Sequence, residues 1–363
     1  MQNALFEQRL ESLKTILDNN SQAVLLTNEK NIGYFCGFFH SEGYLLVTKN
    51  ETVLFVDFRY HEAALKKSSG CKVVRFTKLF KDLMGEFKNN SIVNILFEAS
   101  DITVEKYNRF KKAFSENNIE CVCDGSLDRK IEEIRCIKDE SEIEKIAKAQ
   151  EITEKSYLEV LNYLKPGVSE RRIALELEHL IKLNGGEGVS FDLITITGKK
   201  TSLPHGVPSD DIVSEGDFFT FDIGSIFEGY HSDTTRTVAI KSAGEEMQKI
   251  YNIVLKAQLA VLDGVKPGAK CSDVDKIARD IITENGYGKC FGHATGHGVG
   301  LDIHESPVVS PRSETILKKG MIITDEPGIY LPNKFGVRIE DMLCVTETGY
   351  KNFVSLPKEL IIV

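Results

Sequence analysis

The chain has 363 residues, enough for two domains with a core in each, and its composition, 42% hydrophobic and 27% charged, is that of a globular protein. A formal net charge of −9 with no basic block argues against nucleic acid as a partner, and no apolar run approaches the ~20 residues of a membrane span. The eight cysteines are scattered without a CxxC pair, and the N-terminus carries acids and no apolar signal core, so free thiols and a cytoplasmic location are expected.

MQNALFEQRLESLKTILDNN opens the chain as an amphipathic helix. Short β-rich runs follow, AVLLT, YLLVT, TVLFVD, KVVRF and VNILFE, interleaved with the helical patterns RYHEAALKKS, KLFKDLMGEFKN and TVEKYNRFKKAFSEN. The alternation predicts an α/β domain over residues 1–127. After CVCDGSLDRK, the stretch ESEIEKIAKAQEITEKSYLEVLNYL has apolar residues at helical spacing and starts a second domain, 128–363. The aromatic tract Tyr34, Phe35, Phe38 and Phe39 is read as core or interface.

The second domain contains an internal repeat. LEVLNYLKPG (158–167) matches LAVLDGVKPG (259–268), and each is followed by a helix ending in Asn-Gly, at 184–185 and 285–286. EGDFFTFDIG (215–224) aligns with KGMIITDEPG (319–328), pairing Asp222 with Glu326. EGYHSDTTRTV (228–238) aligns with FGVRIEDMLCV (335–345), pairing Asp233 with Glu340. Two copies are too few for a solenoid and predict one pseudo-symmetric domain whose halves close on each other. In each half a strand, a Gly-containing turn and a second strand carry two acids, and facing residues on a hairpin lie ~5 Å apart. Four convergent carboxylates cannot all ionise without cations, so the pattern calls for metal, and for more than one ion.

HATGHGVGLDIHE (293–305) holds His293, His297 and His304 among glycines and reads as strand, tight turn and strand. The spacing is not that of a zinc-binding HExxH helix. His297, between Gly296 and Gly298, suits a ligand position with open access. His205, in LPHGVPSD, is by itself a loop histidine bracketed by Pro and Gly. Carboxylates with one imidazole and no thiolate favour manganese, cobalt, iron or zinc. Two such ions sharing carboxylates sit ~3.5–4 Å apart and hold a hydroxide between them, which is equipment for hydrolysis.

These residues closely resemble the pita-bread metallopeptidases, the family of aminopeptidase P, prolidase and methionine aminopeptidase. Asp222 and Asp233 in DIGSIFEGYHSD, His297 in TGHGVGL, Glu326 in DEPGIY and Glu340 in VRIED match the five ligand positions of the family's dinuclear centre. The resemblance implies that Asp233 chelates one ion, that Asp222 and Glu340 bridge both, and that His297 and Glu326 complete the other. It further implies two divalent ions per subunit, manganese first, and a homodimer. One departure is Asp325, where the family often has an aliphatic residue, so this acid either alters metal preference or points outward.

The N-terminal part resembles the creatinase-type domain. NIGYFCGFFHSEGYLLVT (31–48) followed by FVDFRYHEAA (55–64) is similar to the pattern of aminopeptidase P enzymes. The expected architecture is therefore a creatinase-like α/β domain followed by an α+β pita-bread domain. The expected activity is removal of the N-terminal residue from peptides with proline second, by attack of a metal-bridging hydroxide. Glu326 would move a proton to the leaving nitrogen, His205 and His304 would orient substrate and stabilise the oxyanion, and His293 and Arg338 would line the proline pocket, with Arg338 also bracing the acids. The alternative is a dipeptidase acting on Xaa-Pro. A metal-free relative, either a peptide-binding scaffold or a creatinase, is the competing class, and the presence of all five ligand types argues against it.

Overall fold

The computed structural model describes residues 2–39 and 42–363, so His40 and Ser41 of the 31–48 tract lie outside the described residues. Its contacts divide the chain into two compact units, Met1–Arg135 and Cys136–Val363. The first unit contains α1 (Gln2–Lys14), β1 (Gln22–Leu26), α2 (Glu29–Cys36), β2 (Tyr44–Val47), β3 (Thr52–Val56), α3 (Phe58–Lys67), β4 (Lys72–Arg75), α4 (Leu79–Asn89), β5 (Asn94–Leu96), α5 (Val104–Ser115) and β6 (Glu120–Val122). Helix α6 (Ser126–Cys136) runs up to the division, and position 127/128, where the sequence places the boundary, falls inside this helix.

The strands of the first unit form one mixed sheet in the order β4-β3-β2-β1-β5-β6. Leu25, Leu46, Phe55, Phe87, Phe97, Phe110 and Phe114 build its core. Helix α2 has no clear apolar period in the sequence. It forms because Asn28 caps it, its side-chain oxygen accepting the Asn31 N–H at 3.0 Å, and because Ile32, Tyr34 and Phe35 bury into the unit. Tyr34 and Phe35 are thus core residues, packed edge to face at 5.1 Å.

The second unit begins with α7 (Glu140–Val160) and α8 (Glu170–Leu183). A capping box starts α7: Asp139 accepts from the amides of Ser141 and Glu142, and the Glu142 carboxylate accepts from the Asp139 amide. Then come β7 (Gly188–Val189), β8 (Ile194–Thr197), β9 (Phe218–Ile223), β10 (Ser225–Phe227), β11 (Tyr230–His231) and β12 (Thr234–Ala239). The second half repeats the plan with α9 (Glu245–Gly264) and α10 (Cys271–Glu284). Its strands are β13 (Gly296–Gly298), β14 (Glu305–Val309), β15 (Ile322–Asp325), β16 (Gly328–Leu331), β17 (Phe335–Arg338), β18 (Asp341–Val345) and β19 (Tyr350–Asn352).

The repeat read in the sequence is visible in the topology. In the first half β9 and β12 pair antiparallel and the short hairpin β10–β11 is inserted between them in sequence. In the second half β15 and β18 pair antiparallel and the short hairpin β16–β17 is inserted. A long strand therefore gives way to a small hairpin twice, and the four acids stand at those junctions. Behind them, α9 and α10 pack a core that includes Phe218, Tyr251, Val254, Ala257, Val274 and Leu343.

Candidate metal centre

Asp222 is the next-to-last residue of β9, and Asp233 directly precedes β12. Glu326 directly follows β15, and Glu340 directly precedes β18. His297 is the middle residue of β13, which pairs with β14 through a bulge between His297 and Gly298. The flanking glycines allow a close backbone approach. A Cβ at Gly296 would stand 2.0 Å from the Thr324 carbonyl oxygen, and one at Gly298 would stand 2.4 Å from that of Ser306.

The ligand atoms offered by Asp233, His297 and Glu340 all lie within 4.8 Å of one another. The Nδ1 of His297 is 3.0 Å from the Gly298 carbonyl, which can only accept, so Nδ1 carries the hydrogen and Nε2 keeps its lone pair. That Nε2 faces Asp233 Oδ2 at 3.5 Å and Glu326 Oε1 at 3.4 Å. The other Asp233 oxygen, Oδ1, is buried without a hydrogen-bond partner among the described residues. Acceptors thus face acceptors in a buried space, and a divalent cation satisfies such a set. The residues fit a metal centre. Asp222 and Glu326 adjoin the trio without belonging to it by that distance.

The electrostatics agree with the geometry. Burial first, and neighbouring carboxylates second, push Asp233 and Glu340 well above the usual carboxyl range. Glu326 is pushed up to about 8 by burial, against the pull of the Arg338 guanidinium. Burial lowers both His293 and His297 to about 4, so each imidazole is neutral at pH 7, the form that ligates.

Around this set runs a chain of hydrogen bonds. The Arg338 NH2 donates to Asp222 Oδ2, its Nε donates to Thr235 Oγ1 at 3.1 Å, and its NH1 donates to Tyr330 Oη at 2.7 Å. Tyr330 passes its own hydrogen to His293 Nε2 at 2.9 Å, because His293 Nδ1–H is committed to the Ala294 carbonyl at 2.8 Å. Arg338 is only 4% exposed, with its guanidinium taken up by these bonds. His293 is half-buried with both nitrogens engaged, and its ring packs against those of Phe291 at 5.0 Å and Tyr330 at 5.5 Å.

His304 is exposed, with its ring 4.3 Å from that of His297. His205 is exposed near His293, on a loop tied in by the Arg338 NH1 bond to the Pro204 carbonyl at 3.3 Å. Asp325 does not point outward. It is 0% exposed and sits opposite Asp341 in the β15–β18 register. Tyr330 and Thr235 are the groups that sequence reasoning missed. Thr235 donates to Glu340 Oε2 at 2.6 Å, and its signal was the two-residue period that puts Asp233, Thr235 and Thr237 on one face of a strand. Tyr330 had a weaker signal, a phenol in the otherwise apolar buried strand GIYL.

A pita-bread domain with buried acids and an imidazole arranged this way is a metallopeptidase fold, and the comparisons agree. Residues 144–347 match the profile of Metallopeptidase family M24, and residues 9–137 match the Creatinase/Prolidase N-terminal domain. The chain belongs to metallopeptidase family M24. It is 40% identical over 357 residues to an Xaa-Pro dipeptidase of Pyrococcus furiosus, covering 98% of this chain and 100% of that one. Its fold matches the solved Xaa-Pro dipeptidase from Bacillus anthracis with a TM-score of 0.94 at 38% identity, covering 99% and 100% of the two chains. It also matches an X-Pro aminopeptidase from Thermotoga maritima, with a TM-score of 0.90 at 34% identity and coverage of 98% and 100%.

Proposed function

We propose that this protein is a metal-dependent Xaa-Pro dipeptidase. The observation that carries the metal-dependent part is the imidazole lone pair of His297 facing the buried carboxylate oxygens of Asp233 and Glu326 at 3.5 and 3.4 Å. The dipeptidase part rests on similarity to the Pyrococcus furiosus and Bacillus anthracis proteins, and it replaces the aminopeptidase activity expected from the first-unit tract.

Asp222, Asp233, His297, Glu326 and Glu340 would hold two divalent ions. When bound, such ions supply Lewis acidity, lowering the pKa of water and polarising the scissile carbonyl. The chain's own residues do the rest. Arg338 fixes Asp222 and, through Tyr330, the orientation of the half-buried His293 ring, which lines the site for the proline ring of the substrate. Thr235 and Thr324 orient Glu340 and Glu326 by hydrogen bonds at 2.6 and 3.2 Å. Glu326 Oε2, on the side facing His293 at 4.0 Å, accepts a proton and delivers it to the leaving proline nitrogen. His205 and His304, the exposed imidazoles, hydrogen-bond to the substrate carbonyl and hold the peptide in place.

The test is hydrolysis of Gly-Pro and of a longer Xaa-Pro-Yaa peptide, with and without added Mn²⁺. The dipeptidase reading expects metal-dependent cleavage of Gly-Pro and little of the longer peptide. The opposite preference would make it an aminopeptidase, a reading favoured by the Thermotoga maritima structure and by the 31–48 tract. Cleavage of neither peptide under any divalent ion would return the scaffold reading.

A further inference from the structure

The metal centre draws ligands from both halves of the second unit, Asp222 and Asp233 from the first and His297, Glu326 and Glu340 from the second. The halves meet there without a continuous ladder, because β12 pairs with β9 and β18 with β15. Their seam is the segment Thr235-Arg236-Thr237 against Arg338-Ile339-Glu340-Asp341. The Glu340 amide donates to the Thr235 carbonyl at 3.1 Å, and Thr237 Oγ1 donates to the Arg338 carbonyl at 3.0 Å.

Arg236 locks this seam. The side chain is 2% exposed, and each of the five guanidinium hydrogens has its own acceptor. The Nε donates to the Pro357 carbonyl at 3.0 Å. The NH1 donates to the carbonyls of Thr235 at 2.9 Å and Glu340 at 2.6 Å. The NH2 donates to Asp341 Oδ1 at 2.8 Å and to the Leu356 carbonyl at 2.9 Å. One nitrogen thus grips the backbone two residues after Asp233 and the backbone of Glu340 itself. Asp341 is held from the other side by Lys358 and Asn352, each at 2.6 Å, so the anchor of the fork is itself fixed.

We infer that Arg236 is a positioning residue for the metal centre. It sets the spacing between the Asp233 and Glu340 carboxylates without touching either of them. A planar fork is required, because two carbonyls on separate strands and a carboxylate must be met at fixed angles. A lysine has three hydrogens on one atom and cannot span them. The inference rests on the reading that these acids hold divalent ions.

The experiment is titration of the metal-free full chain with Mn²⁺ alone, by calorimetry and by the Mn²⁺ resonance spectrum, for wild type and Arg236→Lys. Melting of both metal-free proteins is recorded alongside. Positioning predicts a loss in Mn²⁺ affinity of about 10- to 100-fold, the size seen when groups that orient metal ligands are removed, and a broadened spectrum from a less uniform site. A lower melting temperature with Mn²⁺ affinity within about twofold of wild type would reduce Arg236 to a structural residue and overturn the inference. Should Arg236→Lys not fold, Asp341→Asn weakens the anchor while keeping the guanidinium. It is expected to lower the affinity in the same direction, and unchanged affinity there overturns the inference too. A wild type that takes up no Mn²⁺ fails the metal reading itself, a result distinct from equal uptake by wild type and variant.

Discussion

Glu98 in the first unit and Asp233 in the second are both buried carboxylates, 1% and 4% exposed, yet their surroundings differ in kind. Glu98 meets donors: its Oε2 accepts from the Thr27 and Asn28 amides at 2.6 and 3.1 Å, and its Oε1 accepts from Asn31 Nδ2 at 2.7 Å. Asp233 meets acceptors: His297 Nε2 stands at 3.5 Å, and Asp222, Glu326 and Glu340 all press on its charge or are pressed by it. A buried acid ringed by N–H groups holds structure together, here the start of α2. A buried acid ringed by other acids awaits a cation. Burial alone does not separate the two cases, and the identity of the neighbours does.

The largest expected break of this comparison is Asp233→Asn. Hydrolysis should fall below detection, and the stabilisation by added metal should vanish. For wild type that stabilisation is about 2.7 kcal/mol when free Mn²⁺ is a hundred times its Kd, and chelation by EDTA removes it. The metal-free variant should melt higher than metal-free wild type, because one of several repelling acids is gone. A variant that gains as much from Mn²⁺ as wild type would mean that Asp233 is not a ligand. Glu98→Ala tests the other side. It strands three donors at about 1–3 kcal/mol for each that stays buried and unpaired, so unfolding in urea should show a loss of about 3 kcal/mol or more. Mn²⁺ affinity should be unchanged.

A smaller effect follows from the pH behaviour of Glu98. Burial outweighs its three donors and pushes its carboxyl up to about 7, from an ordinary 4.5. Between those values the native state holds a proton that the unfolded state lacks, so stability falls as pH rises, by at most about 1.4 kcal/mol per unit. The contribution is whole below about pH 4.5 and lost as pH passes through 7, a total on the order of 3 kcal/mol. Glu98→Gln should flatten the stability profile across that window. A profile with the same slope in the variant would assign the titration to another group.

The four acids were legible because the chain repeats itself. Aligning its halves paired Asp222 with Glu326 and Asp233 with Glu340, and the topology of two inserted hairpins bears out that alignment. Most first-unit strands were legible from β-branched and aromatic runs. Helix α2 was not, because eight residues of mixed polarity are held by a cap and by tertiary burial rather than by a periodic face. Arg236 was invisible for a related reason. Its five acceptors include four backbone carbonyls, and a carbonyl has no letter in the sequence.

The smallest expected effect is also the sharpest test of what separates the two kinds of buried acid. Asp325 stands opposite Asp341 in the β15–β18 pairing, where like charges destabilise. Asp341 is matched by Arg236, Lys358, Asn352 and Gln258. Among the described residues neither oxygen of Asp325 has a well-formed hydrogen bond, the Gln258 amide being its one nearby polar support, and Gln258 Oε1 has no partner either. Burial first and Asp341 second push the Asp325 carboxyl well above its usual range, and asparagine there removes that ionisable group and brings an amide donor to Gln258. It should therefore stabilise by about 1–2 kcal/mol, equally with and without metal, and leave Mn²⁺ affinity within about twofold. A fall in Mn²⁺ affinity instead would place Asp325 with the acids that serve the ions, as its position just before Glu326 suggests from sequence alone. A gain in stability with affinity intact would show that an acid one residue from a ligand belongs to neither kind, and that its burial opposite Asp341 is strain the fold tolerates.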